Sequence, residues 1–76
     1  MNNYRLKDMY LAAYLYSQGV DLIKVERDGK VCWFNFVNKT QCELLANLYW
    51  SDKAEVKVKS FVEAIRSLKD IIFASS

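Results

Sequence analysis

The sequence predicts an α+β domain in the order α-β-β-α-α, a two-stranded antiparallel hairpin packed against three helices, as a single domain over residues 1–76. Three observations predict it. Asp28-Gly29 sits between two β-rich runs. Asp8 and Thr40 each precede a stretch of apolar residues at helical spacing. The final segment repeats its large apolar side chains at steps of three and four.

The first helix is expected over about residues 8–18. Asp8 can accept hydrogen bonds from the free amides of "MYLAAYLYSQ", and Gly19 supplies the left-handed residue that ends it. Leu11, Tyr14, Leu15 and Gln18 follow one stripe, and Tyr10, Ala12 and Tyr16 widen the apolar arc, so this helix should touch more than one neighbour.

Strands follow over about 20–26 and 30–37. A two-residue loop of Asp28 and Gly29 would set Arg27 against Lys30, a like-charge pair. A three-residue loop ending at a left-handed Gly29 sets Glu26 against Lys30 and is preferred. In that register Val25 faces Val31, Lys24 faces Cys32, Ile23 faces Trp33, Leu22 faces Phe34 and Val20 faces Phe36. One face then carries Val20, Leu22, Cys32, Phe34 and Phe36; the other carries Ile23, Val25, Val31, Trp33 and Val37. In either register Trp33 points away from Phe34 and Phe36. Both faces of "VCWFNFV" want cover, and two strands alone supply little.

The second helix is expected over about 40–50. Thr40 with Glu43 forms a capping box, and Asn38 with Gln41 offers the same device slightly earlier. Leu44, Leu45 and Leu48 form its stripe, flanked by Cys42, Ala46 and Tyr49. After the link "SDKAEV" a third helix runs over about 58–73. Phe61, Ile65, Leu68 and Ile72 face inward, thickened by Val58, Val62, Ala64 and Ile71. Lys59, Glu63, Arg66 and Asp70 form the opposite, mutually paired surface.

Composition narrows the function. At 76 residues, 53% hydrophobic and without proline, the chain is ordered but near the size where burial of about 60% of the unfolded surface leaves stability marginal. No apolar run approaches the roughly 20 residues of a membrane span, and "MNNYRLKDMY" lacks the order of a signal peptide, so no membrane partner and a cytoplasmic location are expected. Eleven basic against nine acidic residues give a net charge of +2, too small for a strong nucleic-acid footprint and of the wrong sign for a DNA mimic. Without histidine, Cys32 and Cys42 form no zinc site; they suggest no disulfide framework either, and are expected to be buried thiols.

No catalytic constellation is readable. The common general base is missing, and Gly19 and Gly29 are each explained by a turn, which leaves no phosphate-cradling loop. Neither cysteine has the polar, electropositive setting a nucleophile needs. No catalytic residue, metal site, cofactor or enzymatic activity is expected.

The aromatic residues point to binding. Trp33 on the less protected strand face, with Val31, Ile23 and Lys24 beside it, and Tyr49 with Trp50 at the end of the second helix are the expected partner interface. Trp33 with Lys24 and Lys30 could also serve single-stranded nucleic acid, which stacks on aromatic side chains flanked by cations. For Trp50, packing of the helix end is the simpler role, and Tyr10, Tyr14 and Tyr16 fit the edge of a core better than a ligand box.

The blocks "MYLAAYLYSQG", "ERDGKVCWFNF", "CELLANLYW" and "EVKVKSFVEAIRSLKDIIF", in this order and spacing from about Tyr4 to Phe73, resemble a family of small uncharacterised proteins from bacteria and their phages, a domain of unknown function. The resemblance brings no activity, cofactor or site residue. It implies a short cytosolic product of a phage or mobile element, working in the host cell cytoplasm. The expectation is therefore a non-enzymatic accessory protein that homodimerises through the hairpin face and first helix. It would bind a host macromolecule, a protein first and nucleic acid second, in host takeover or defence evasion. A sponge for a small anionic ligand, held between subunits, is the further alternative.

Overall fold

The computed structural model describes residues 3–74. Three helices cover one face of a three-stranded antiparallel sheet. The α+β class is that read from the sequence, but the sheet has a third strand. In chain order the elements are β1 (Tyr4–Leu6), α1 (Met9–Ser17), β2 (Leu22–Asp28), β3 (Val31–Phe36), α2 (Lys39–Trp50) and α3 (Val58–Ala74). The spatial order is β1-β3-β2, so β3 lies in the centre.

Strand β1 pairs Tyr4 with Phe36, Arg5 with Asn35 and Leu6 with Phe34. Alternation within four residues explains it: Tyr4 and Leu6 turn toward the helices, while Arg5 and Lys7 stay exposed. A third strand also supplies pairing that an isolated hairpin lacks.

The hairpin register differs from both expected ones. Asp28 faces Val31, Arg27 faces Cys32, Glu26 faces Trp33, Val25 faces Phe34 and Lys24 faces Asn35. The loop is therefore Gly29-Lys30. Gly29 is left-handed at φ 63° and Lys30 is not, the arrangement of a two-residue turn with glycine first. This register places Val25 beside Phe34 on the core side, so Val25 leaves the face assigned to it. An irregularity between Leu22 and Lys24 brings Leu22, instead of Val20, opposite Phe36 and leaves Ile23 unpaired.

Helix α1 begins at Asp8, whose carboxylate accepts from the amides of Tyr10 (2.9 Å) and Leu11 (3.2 Å). Gly19, at φ 86°, ends it. Five consecutive residues, Leu11 to Leu15, are buried, so the helix is enclosed on nearly every side, packed against both α2 and α3.

Helix α2 is capped two residues earlier than the Thr40 box. Asn38, left-handed at φ 62°, accepts from the Gln41 amide at 3.2 Å, and its Nδ2 donates to the Gln41 side chain at 3.3 Å. Its inner face also differs. Cys42 and Ala46 are buried, with Leu45 and Tyr49 packed beside them, whereas Leu44 and Leu48 are 63% and 40% exposed. The Cys42 thiol donates to the Val37 carbonyl at 3.4 Å, tying the start of the helix to the segment that leads into it. Leu44 and Leu48 are thus turned outward, while Leu45 stays against the core.

Helix α3 buries Ala64, Leu68 and Ile72, flanked by Phe61, Ile65 and Ile71. Val58 and Val62, expected to thicken this stripe, are exposed on its outer side. Lys59, Glu63, Arg66 and Asp70 are exposed without an ion pair among them. Long charged side chains at the surface gain too little from pairing to give up their freedom.

Candidate binding surfaces

The six residues expected at an interface fall into two places. Trp33, Val31, Ile23 and Lys24 lie on the sheet; Tyr49 and Trp50 lie in the helical layer.

On the sheet, the central strand sends Phe34 and Phe36 into the core and Trp33 and Asn35 to the other face. Trp33 is half-buried and is not among the side chains packed against the core. The Arg5 guanidinium carbon stands 4.1 Å from its ring centroid and the Lys7 ammonium 5.9 Å away, distances at which a cation is drawn to the ring face. Beside it Asn35, 7% exposed, donates from Nδ2 to Glu26 Oε1 at 3.0 Å. Arg5 Nε donates to the same oxygen at 3.3 Å, and Lys24 Nζ stands 3.9 Å from Oε2. Arg5 thereby links Trp33 on β3 to Glu26 on β2.

The Asn35 hydrogen bond, then attraction to Lys24 and the bonds and charge of Arg5, hold the Glu26 carboxyl below the usual carboxylate range. Val31 faces Asp28 near the hairpin tip, Ile23 is exposed at the irregularity, and Lys30 occupies the turn. The cations at the ring are therefore Arg5 and Lys7. Lys24 is held by Glu26. The readable signal for Arg5 and Lys7 was the period-two alternation Tyr4-Arg5-Leu6-Lys7.

In the helical layer, Tyr14, Tyr49, Trp50, Asp52, Ala54, Val56 and Phe61 line a cleft of about 480 Å³. The rings of Tyr49 and Trp50 meet edge to face at 85° with centroids 5.0 Å apart, and Tyr14 lies 6.2 Å from Tyr49. Trp50 is 66% exposed, so its indole forms the rim instead of packing the helix end. Burial, followed by the nearby charges of Asp8 and Tyr10, raises the Tyr49 hydroxyl, which stays protonated at neutral pH.

Both cysteines carry free thiols. Cys42 is buried, and burial pushes its thiol up; Cys32 is only half-buried. Among the described residues no group of three histidine, cysteine, aspartate or glutamate side chains could hold a metal ion, and no helix is long and apolar enough to cross a membrane.

Residues 1–74 match the family described as "Domain of unknown function (DUF5659)", and the chain belongs to it. Searches of curated proteins and of solved structures found no match.

Proposed function

We propose that the protein is a non-enzymatic binding protein whose working surface is the open face of the sheet, and that it holds single-stranded nucleic acid there. One observation carries this reading. The half-buried Trp33 lies on the central strand, outside the core cluster, with Arg5 and Lys7 over its ring and Lys24 on the neighbouring strand. Cations beside an aromatic ring on a sheet suit both the phosphates and the bases of an unpaired strand, and a base can stack on an arginine plane as well as on an indole. The apolar dimer interface expected around Trp33 is less well supported, because charged and amide groups occupy that face. The wider role proposed is that of a phage or mobile-element accessory factor acting in the cytoplasm on a host macromolecule, in takeover or defence evasion.

The test is a fluorescence titration with a single-stranded oligonucleotide, using Trp50→Phe so that only Trp33 reports. Quenching that weakens steeply with added salt, and is lost in Arg5→Ala combined with Lys7→Ala, is expected. Absence of quenching at low salt overturns the reading.

Self-association is the second reading, and a different surface favours it. Leu44 and Leu48, four residues apart on α2, are large, apolar and exposed. Light scattering coupled to size exclusion decides it: a dimer that dissociates in Leu44→Lys supports it, and a clean monomer at high micromolar concentration removes it.

A further inference from the structure

The cleft in the helical layer is separate from the sheet face, and its lining is unusual for a gap between helices. Four of its seven side chains are aromatic, namely Tyr14, Tyr49, Trp50 and Phe61, and its one charged side chain is the carboxylate of Asp52. Tyr49 and Trp50 stand at right angles, so two π-faces of different orientation form a corner. Asp52 is fixed at that corner by its backbone. Its amide donates to the Tyr49 carbonyl at 3.2 Å just past the end of α2, and its φ is 60°. No ion pair joins Asp52 to another described residue. A second carboxylate, Asp8, is close enough for its charge to be felt at the Tyr49 hydroxyl, although it is engaged in capping α1.

A ring face is electronegative, so a corner of rings attracts a cation and offers little to an anion. The carboxylate adds to that preference. A neutral apolar molecule would gain contact with the rings, but would leave Asp52 partly desolvated and without a partner. An anion would meet both Asp52 and the ring faces unfavourably. Compact ions such as sodium keep their water and gain little from aromatic walls, whereas methyl groups on an ammonium spread the charge over a surface that packs against rings. The volume leaves room for more than the cationic head. We propose that this cleft is a binding site for a small organic cation of the quaternary-ammonium type, its charge seated against the open corner that the touching Tyr49 and Trp50 rings form and facing Asp52. This site shares no residue with the sheet face, so either can fail without the other.

Choline is the probe, with 3,3-dimethylbutan-1-ol as its uncharged equivalent of the same shape. Two-dimensional NMR follows the Trp50 indole N–H, which is told apart from that of Trp33 by Trp33→Phe. Saturable shifts at Trp50 with choline are expected, with affinity about tenfold weaker for the neutral alcohol, the order of a partly desolvated cation–π contact. Asp52→Asn should weaken choline several-fold and leave the alcohol unchanged. Asparagine tolerates the left-handed backbone at this position as well as aspartate does, so that variant keeps the fold. Trp50→Ala, at an exposed rim position, removes that reporter, so the Tyr49 backbone amide is followed instead, and its saturable shift with choline should be abolished. The proposal is overturned if the alcohol binds as well as choline, if Asp52→Asn leaves choline binding intact, or if no Trp50 shift saturates. Oligonucleotide binding by the same samples reports on the sheet face independently.

Discussion

The two faces of strand β3 are made differently. Phe34 and Phe36, on one side, are closed in by α1 and the rest of the core, and are held by contact area alone. Trp33 and Asn35, on the other side, are held by charges and hydrogen bonds supplied from β1 and β2: Arg5 and Lys7 over the ring, and Glu26 on the amide. One face depends on filling volume. The other depends on particular polar atoms standing at particular distances, and so it can exchange those partners for a ligand's without loosening the core.

The largest expected effect separates the faces by stability. Phe36→Ala should cost about 3–5 kcal/mol, as lost burial plus a cavity, enough to unfold much of a small domain. Trp33→Ala, from a half-buried site that can collapse toward solvent, should cost about 1 kcal/mol. Urea denaturation compares them, and equal losses would mean that the outer face is a core in its own right.

Next comes Asn35→Asp, which sets a second carboxylate at hydrogen-bonding distance from Glu26. The denaturation midpoint should drop at pH 7 and recover toward the parent as the pH falls to 4, where one of the two carboxyls takes up a proton. A loss independent of pH would show that Asn35 is held by packing instead.

Arg5→Ala removes both the cation over Trp33 and one partner of Glu26. About 0.5–1 kcal/mol of stability should be lost, with Trp33 emission, read in the Trp50→Phe background, shifted to the red as water reaches the ring. Unchanged emission would show that Lys7 or the strand itself covers the indole.

The smallest effect is that of Glu26→Gln, and its sign follows from the Glu26 carboxyl being held below its ordinary value. The folded protein binds the proton less readily than the unfolded chain, so the stabilisation is complete above the ordinary carboxylate value, about 4.3, and is lost as pH falls through the lower folded value. The parent should exceed Glu26→Gln slightly at pH 7, and the gap should narrow by pH 3.

Much of this division was legible in the sequence. Period two along β3 separates Trp33 from its phenylalanine neighbours whatever the register, and the caps at Asp8 and Asn38 and the stripe of α3 are local patterns. Three things were not local. Strand β1 is three residues long, so the alternation Tyr4-Arg5-Leu6-Lys7 is too brief to mark a strand by itself, and its partner lies some thirty residues on. The register turned on whether Asp28 belonged to the loop or the strand, which the Asp-Gly pair leaves open. On α2 two arcs were available, and hydrophobicity favoured the leucines. The fold buried Cys42 and Ala46, on a helix that packs against α1, where small side chains allow close approach. The candidate sheet site therefore showed its aromatic centre, while Arg5 and Lys7 emerged only with β1.

The ends of the sheet carry a last consequence. Each outer strand offers a row of backbone groups that could recruit a strand from another molecule. Strand β1 spans only Tyr4–Leu6, and β2 is interrupted at Ile23 and bears Lys24, Glu26, Arg27 and Asp28 along most of its length. Brevity at one margin, with an irregularity and charge at the other, discourages edge-to-edge extension. Ribbon-like stacking of copies into fibres is discouraged by the same three strands that frame Trp33.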